Sequence, residues 1–365
     1  MPPEEPTKAR EPVTTTEVAP LPGLEAPATQ ATPKPQNWLE RGPSKRLMLV
    51  SGRSHPDLAE DIGAKLGVAC SPVELKTFAN GEVYCRYEES VRGADLFIVQ
   101  SCAGVGKVNA YLWELLEMIN AAKLASVKRV TAVMPWFPYS RQDKKSAPRE
   151  PISARLLADT LEKAAGVDRV LTMDLHTGQI QGFFTIPVDH MTALPLFAQY
   201  FRDKGLSGED VVSVSPDAGR AKLARRFGQM LDADLAIMNK TRPAHDQASI
   251  TEVIGDVEGK TALMGDDMIL TGGTLLAAAK ALREAGAKEV YVFATHGHFV
   301  GDALEKLATD DLAEIVVTDT VPLDPLNRPD KLTVLPVSGL LADTIMNVFA
   351  DESVSAVFQG ANQLF

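Results

Sequence analysis

Residues 261–295 read TALMGDDMILTGGTLLAAAKALREAGAKEVYVFAT, and this stretch contains one complete unit of the fold. The apolar run at 261–266 predicts a buried strand, and the run at 289–295 predicts another. Between them, an alanine-rich segment that follows two glycines predicts a helix. The unit therefore reads strand, helix, strand, which is the repeating element of an α/β protein.

The same alternation extends in both directions from this unit. Helical patterns at 112–125 and 152–165 separate apolar runs that have the character of buried strands, at 46–50, 95–100, 129–136, 169–175, 211–216, 233–239 and 314–320. Near-continuous apolar strands are typical of parallel sheets covered by helices on both faces. Residues 120–137 and 276–296 also resemble each other, since both run helix, basic turn, strand, which indicates two similar α/β halves joined around 190–200.

Composition bounds the possible partners of the chain. Its 365 residues suffice for two domains with cores, and 45% of them are hydrophobic. The net charge of −11 argues against nonspecific binding of nucleic acid, although local basic loops can still bind phosphates. No apolar run approaches the roughly 18 residues that a membrane span needs, so no membrane partner is expected.

The N-terminal segment and the cysteines indicate the setting of the protein. Residues 1–44 are rich in Pro, Thr, Ala and Glu, which predicts a disordered tail, and they lack the pattern of a secretory signal. The three cysteines, Cys70, Cys85 and Cys102, have no metal-ligand spacing and cannot all pair. A reducing cytoplasmic location is the simplest expectation.

The loop between the first strand and the helix of the opening unit is a candidate phosphate site. A helix N-terminus carries unpaired N–H groups and partial positive charge, and glycines let the backbone approach a ligand closely. The preceding pair, Asp266 and Asp267, offers acceptors for a diol or a metal. A sugar phosphate has both features, and a capped turn without a ligand is the alternative. The loop residues are Thr271, Gly272, Gly273 and Thr274.

Two further strand ends carry polar residues suited to a metal or a phosphate. At 214–227, Asp217 ends a strand, and Arg220 and other basic residues follow it; a capped helix with a solvated basic face is the alternative. At 173–184, Asp174 and His176 stand at alternate positions after a strand, so both side chains are predicted to point the same way. Mg²⁺ held by few protein ligands and by substrate phosphates suits this arrangement, and a structural histidine is the alternative.

Three other loops carry polar or charged residues. Arg141 and Arg149 belong to a basic loop at 137–157, and Lys240 and Arg242 to another at 238–247. Cations beside a phosphate-binding cleft stabilise charge on a transferred group, although most such clusters are only solvated surface. Residues 78–84, FANGEVY, read as a hairpin turn.

Taken together, these motifs resemble the ribose-phosphate pyrophosphokinases, also called phosphoribosyl pyrophosphate synthetases. The similarity runs from about residue 46 to residue 358, and its motifs include SGRSHPDLA (51–59), FANGE (78–82), FPYSRQDKK (137–145), DLHTGQIQGFF (174–184), SPDAGR (215–220), NKTRP (239–243), DDMILTGGT (266–274) and DKLTVLPVSGLLA (330–342). The resemblance implies transfer of pyrophosphate from Mg-ATP to the anomeric hydroxyl of ribose 5-phosphate, which gives phosphoribosyl pyrophosphate and AMP.

The resemblance also implies a role for each candidate residue. Ribose 5-phosphate would be bound by Asp266, Asp267 and the loop from Thr271 to Thr274. ATP would be bound by Phe78, Asn80 and Glu82, supplied by a neighbouring subunit, and by Arg141 and Gln142, with Arg149 a weaker candidate. Mg²⁺ would be associated with His176, Asp217 and Asp174. Lys240 and Arg242 would belong to a mobile catalytic loop.

The resemblance implies an organisation as well. Two phosphoribosyltransferase-like domains are expected, an ATP-side domain at 45–191 and a ribose 5-phosphate-side domain at 192–345, with a segment at 346–365 that packs back on the first. A homo-oligomer built from dimers, often a hexamer, is implied for the family.

Three departures from the family pattern keep alternatives open. Leu270 stands where these enzymes usually have a third aspartate, and Gly265 where they have an aliphatic residue. Gly178 also replaces a serine of the regulatory site, which puts phosphate activation and ADP inhibition in doubt. A non-catalytic regulatory subunit is one alternative, although retention of His176 and Lys240 argues against it. A phosphoribosyltransferase that consumes the product is the other, and the FANGE and RQDKK motifs argue against that.

Overall fold

The computed structural model describes residues 45–241 and 250–356. The predicted tail at 1–44, Arg242 and the end of the predicted C-terminal segment, at 357–365, therefore lie outside the described residues. Within the described ranges, none of the helices is long and apolar enough to cross a membrane.

The first sheet lies in residues 45–191, called here the first half. Its five strands are parallel in the order β1-β4-β5-β6-β7, and a separate antiparallel pair, β2 and β3, is inserted after the first helix. The strands are β1 Leu47–Ser51, β2 Val73–Thr77, β3 Val83–Tyr87, β4 Asp95–Val99, β5 Arg129–Met134, β6 Arg169–Met173 and β7 Val188–Met191.

The second sheet lies in residues 192–356, called here the second half. Seven strands follow the order β10-β9-β8-β11-β12-β13-β14, and all neighbours are parallel except β10 and β9. The strands are β8 Val211–Ser215, β9 Asp234–Thr241, β10 Ile250–Ile254, β11 Thr261–Ile269, β12 Glu289–Gly297, β13 Glu314–Thr318 and β14 Leu332–Leu335.

Helices connect the parallel strands. They are α1 Pro56–Leu66, α2 Val108–Leu124, α3 Ser153–Asp159, α4 Leu194–Asp203, α5 Ala221–Leu231, α6 Gly273–Glu284, α7 Ala303–Leu307 and α8 Ser338–Ala350. The helix predicted at 152–165 is α3, which continues as a π-helix, Thr160–Ala165. Since the sheets are mostly parallel and flanked by helices, the predicted α/β fold class is confirmed.

An aromatic cluster fills the core between the helices and the second sheet. Four aromatic rings are in contact here, and the centroids of contacting rings lie 4.3–6.1 Å apart. They belong to Phe197 and Phe201 on α4, Phe227 on α5 and Phe293 on β12. Each of these four side chains is almost fully buried. The same core includes Leu49 of the first sheet, so one apolar cluster spans both halves.

The C-terminal helix returns to the first half. α8 packs against α1, and Asp351, at its C-terminal end, pairs with Lys45 and with Arg129, whose Nη1 lies 2.9 Å from Asp351 Oδ1. The return of the whole segment 346–365 to the first half remains a prediction. Residues from 45 onward group as one compact unit, so the division into domains at residue 192 remains a prediction.

Candidate functional site

A cavity of about 400 Å³ lies beyond the carboxyl ends of strands from both sheets. This is the edge at which α/β proteins bind ligands. Arg141 and His176 reach it from the first half. The second half supplies the rest of the lining, which comprises Asp217, Arg220, Asp266, Asp267, Met268, Ile269, Leu270, Thr271, Gly272, Thr274 and Leu275.

Strand β11 is longer than the sequence indicated, and both carboxylates lie within it. The strand was predicted to end at residue 266, but it runs to Ile269 because its neighbour β12 continues to Gly297 and pairs with it. Asp266 and Asp267 are therefore held by the sheet itself. Leu270, the residue that replaces a usual aspartate, follows directly and lines the cavity, so the departure lies in the site.

The loop after β11 has the geometry of an anion-binding helix start. Gly272 adopts φ 71° at the N-cap of α6, and no side chain caps the helix there. A Cβ at Gly272 would lie 2.8 Å from a methyl carbon of Leu307, so both the backbone angle and the close packing favour glycine. The first N–H groups of α6 are consequently available to a phosphate.

A cluster of charged groups joins the two halves inside this cavity. Arg220 Nη2 lies 2.5 Å from Asp267 Oδ1, and its Nε lies 3.5 Å from Asp266 Oδ1. His176 Nδ1 lies 2.8 Å from the other oxygen of Asp267. Asp267 lies between Arg220 and His176 and is only 5% exposed, whereas Asp266 is 25% exposed and more open to the cavity.

These contacts separate the pKa values of the two carboxyl groups. Burial, together with the neighbouring charge of Asp267, raises the pKa of Asp266 to about 7. Burial acts in the same direction on Asp267, but the hydrogen bond from His176 and the charge of Arg220 outweigh it and hold its pKa below the usual range. Asp267 is therefore the ionised member of the pair.

The partner of His176 also determines its tautomer. Because an ionised carboxylate only accepts hydrogen bonds, Nδ1 of His176 carries the hydrogen that Asp267 accepts at 2.8 Å. Arg220 Nη2, 3.1 Å from the same nitrogen, is then a neighbour of Nδ1 and not a donor to it. In the neutral imidazole, Nε2 then has the free lone pair. A carboxylate behind a histidine in this way is the usual support of a metal-binding histidine.

The predicted metal residues occupy different environments. Asp217 lines the cavity, and its Oδ1 accepts a hydrogen bond from the Arg220 backbone N–H at 3.1 Å. The backbone of Asp174 is not extended, because β6 ends at Met173 and Asp174 adopts φ 34°. Its Oδ2 accepts from Ala193 N at 2.8 Å and from Thr295 Oγ1 at 2.6 Å. Among the described residues, no cluster of three or more His, Cys, Asp or Glu side chains forms a ready metal site.

The predicted ATP residues are only partly brought together. Arg141 lines the cavity, whereas the Gln142 side chain accepts a hydrogen bond from Ser153 Oγ at 2.6 Å, at the start of α3. Arg149, the weaker candidate, is exposed and has φ 69°.

The other predicted ATP residues form the tip of the β2–β3 hairpin. Its turn is closed by a hydrogen bond from Phe78 N to Glu82 O at 2.8 Å. Phe78 is 46% exposed, Asn80 and Glu82 are exposed as well, and none of the three lines the cavity of the same chain.

The predicted catalytic residues, Lys240 and Arg242, lie where the described range 45–241 ends. The backbone of Lys240 belongs to β9, where it pairs with Thr251 of β10. Arg242 lies outside the described residues.

Two buried residues that the sequence did not single out support the site. Asp143, in the RQDKK loop, accepts hydrogen bonds from Thr177 Oγ1 and Gln179 Nε2, each at 2.8 Å, and so ties the loop of Arg141 to the loop of His176. His190 Nε2 accepts from Leu175 N at 2.8 Å, next to His176. A polar residue inside an otherwise basic loop was the only available signal for Asp143.

Buried hydrogen bonds also join the two halves. Thr295 Oγ1 donates to Asp174, and His296 Nε2 lies 3.1 Å from Met173 O. Ser101 Oγ donates to Thr320 O at 2.6 Å. Together, this fold and this site define an α/β protein with a candidate phosphate site at the carboxyl ends of its parallel strands.

Comparison with known proteins makes the assignment specific. Residues 47–166 match the model of the N-terminal domain of ribose phosphate pyrophosphokinase, and residues 212–359 match that of the phosphoribosyl synthetase-associated domain. Ribose-phosphate pyrophosphokinase of Streptomyces avermitilis is 48% identical over 86% of this chain and 96% of its own length. That of Corynebacterium efficiens is 47% identical over 89% of this chain and 98% of its own.

A solved structure agrees with these relatives. The crystal structure of phosphoribosylpyrophosphate synthetase from Mycobacterium smegmatis superposes with a TM-score of 0.78, at 47% identity, over 84% of this chain and all of that one. The chain belongs to the ribose-phosphate pyrophosphokinase family.

Proposed function

We propose that this chain transfers the pyrophosphoryl group of ATP to the anomeric hydroxyl of ribose 5-phosphate, giving 5-phosphoribosyl 1-pyrophosphate and AMP for nucleotide biosynthesis. Membership of the family over nearly the whole length of its relatives supports this activity. The structural observation that carries the proposal is a single cavity that combines Arg141 and His176 with the carboxylates and the phosphate-type loop of β11 and α6.

The cavity suggests how the two substrates lie. The 5-phosphate meets the uncapped start of α6, at Thr271 to Thr274, and the ribose hydroxyls donate to Asp266, the carboxylate with the more open face. Asp267 supports this placement from behind through Arg220 and His176. ATP enters from the side of Arg141.

Mg²⁺ is part of the proposal because of the charge of the lining. Two guanidinium groups, Arg141 and Arg220, face three carboxyl groups, so an ATP triphosphate needs an additional cation in order to bind there. His176 Nε2 and Asp217 are the groups that fit such an ion, together with phosphate oxygens. When bound, it neutralises charge on the triphosphate. Asp174, already engaged by two donors, fits a supporting role.

The reaction requires no side-chain nucleophile. The sugar oxygen attacks the β-phosphorus, the bond from that phosphorus to the α,β-bridging oxygen breaks, and AMP leaves with the bonding electrons. The hydroxyl proton passes to water. The protein therefore contributes alignment and electrostatic stabilisation, to which Lys240 and Arg242 add positive charge.

We further propose a homo-oligomer built from dimers, in which a neighbouring subunit supplies Phe78, Asn80 and Glu82. The position of these three residues on an exposed hairpin tip, away from the cavity of their own chain, supports this assignment. A cytoplasmic location fits the three free thiols of Cys70, Cys85 and Cys102.

Phosphorus NMR of the purified protein with Mg-ATP and ribose 5-phosphate tests the activity, beside a Leu270→Asp variant. We expect equal amounts of AMP and phosphoribosyl pyrophosphate from the unmodified protein. Product from the variant alone would identify Leu270 as a disabling substitution and favour the regulatory-subunit alternative. Absence of product from both proteins would refute the proposal.

A further inference from the structure

Arg220 occupies the point at which the two proposed substrates meet. Its side chain is only 15% exposed and lines the cavity between the sugar side, with Asp266, and the triphosphate side, with His176 and Arg141. A guanidinium in such a position is close to whatever group passes from one substrate to the other.

The backbone around Arg220 is fixed before any substrate arrives. β8 ends at Ser215, whose Oγ donates to Asp217 O at 2.6 Å. Asp217 in turn accepts the Arg220 N–H, and Arg220 is the N-cap of α5. Since the residue begins a helix and follows a hydrogen-bonded turn, the direction of its side chain is set by the fold.

The contacts of the guanidinium orient it without using all its donors. Nη2 faces Asp267 and also lies 3.1 Å from His176 Nδ1, and Nε faces Asp266. The second terminal nitrogen, Nη1, carries two further N–H groups. A planar guanidinium held by a carboxylate on one edge can present the other edge to phosphoryl oxygens, for which its fork geometry is well suited.

We propose that Arg220 is a catalytic residue that binds the pyrophosphoryl group while it is transferred to the sugar. Negative charge spreads over the oxygens of the transferred group in the transition state, and a prepositioned cation in a partly water-excluded cavity stabilises that charge most strongly. The assignment rests on the proposed function and adds a residue to it. Asp267 then acts as the positioning group that holds the guanidinium in place.

A purely structural role makes a different prediction. If Arg220 served only to hold Asp266 and Asp267 for the ribose hydroxyls, its loss would weaken binding of ribose 5-phosphate and leave turnover of the saturated enzyme nearly unchanged. A contact made in the transition state does the reverse, because it lowers kcat while ground-state binding is largely kept.

The test is steady-state kinetics of Arg220→Gln and Arg220→Lys, with calorimetric binding of ribose 5-phosphate to each. We expect Arg220→Gln to lower kcat about 100-fold or more, with less than about a threefold change in the dissociation constant of ribose 5-phosphate. Arg220→Lys, which keeps the positive charge and loses the forked geometry, should have a kcat between those of Arg220→Gln and the unmodified protein. Arg225→Gln, on the exposed face of the same helix, is the matched control and should retain the original kcat.

Each outcome decides the question. A kcat within about threefold of the original for both Arg220 variants, or a loss confined to ribose 5-phosphate affinity, would overturn the assignment. If Arg220→Gln does not fold, as judged by its melting temperature, Arg220→Lys carries the same comparison. Lack of product from the unmodified protein would refute the proposed function instead, so the two failures are distinguishable.

Discussion

Substitution of Gly265, the residue before Asp266, gives a quantitative test of how tightly the aromatic core is packed against β11. A Cβ on Gly265 would lie 2.3 Å from Cζ of Phe293, far closer than an ordinary van der Waals contact. The Phe293 ring is 2% exposed, and its centroid lies 4.3 Å from that of Phe227 and 4.9 Å from that of Phe197. The ring has neighbours on several sides and cannot move away freely.

From this geometry we expect Gly265→Ala to lower the free energy of unfolding by about 3 kcal/mol, the upper part of the range for overpacked cores. Phe293→Leu alone should cost about 2 kcal/mol, because it removes buried ring atoms. In the double variant the smaller side chain makes room for the new methyl group. The combined cost should therefore fall about 2 kcal/mol short of the sum.

Urea unfolding of the four proteins of this double-mutant cycle measures the coupling. Gly339→Ala, a helical position at which a Cβ meets no atom within 4 Å, is the control and should be neutral or slightly stabilising. Additive costs within about 0.5 kcal/mol would show that Gly265 and Phe293 are not coupled, and the reasoning from ring packing would be wrong.

Three further substitutions test other parts of the molecule. Burial lowers the pKa of His298 to about 3, so this side chain stays neutral in the folded protein, whereas the unfolded chain takes up a proton below about pH 6.5. The free energy of unfolding therefore falls as the pH falls. Between pH 7.5 and 5, urea titrations of His298→Leu should show a loss of unfolding free energy about 2 kcal/mol smaller than that of the unmodified protein. Glu114 is fully buried and accepts from both N and Nε of Arg53, so Glu114→Gln should lower the free energy of unfolding by about 2 kcal/mol, whereas the exposed control Glu89→Gln should leave it unchanged. Lys240→Ala should reduce turnover about 100-fold and affect calorimetric binding of Mg-ATP much less; an equal loss of both would contradict its proposed role.

The sequence predicted the central strands and β1 and missed the other three edge strands of the two large sheets. All nine apolar runs became strands, because central parallel strands are buried on both faces and read as continuous hydrophobic segments. Three strands were not predicted, β7, β10 and β14, and each of them lies at an edge of its sheet. Edge strands are short and bury less surface, so their apolar pattern is weak.

The site was predicted as separate loops, and its interactions were not. The motif containing Asp266 and Asp267 indicated a sugar phosphate, but nothing in the sequence assigned Asp267 to His176, 91 positions away. The basic residues after Asp217 looked alike in the sequence, and only the fold distinguishes the partly buried Arg220 from the exposed Arg225. Pairings of this kind depend on strand order and on register, which local patterns do not encode.

The buried hydrogen bonds between the two halves limit how the enzyme can move. Separating the two halves would break the bonds of Thr295, His296 and Ser101 and open the apolar cluster that both halves share. Opening would exchange these hydrogen bonds for bonds to water, at a net cost of about 0.5–1.5 kcal/mol each, and would expose the shared apolar cluster to water, so a jaw-like opening is disfavoured. Within residues 45–241 and 250–356, the two halves are therefore expected to move as one body. The small-angle X-ray scattering curve of the protein should be the same with and without bound nucleotide.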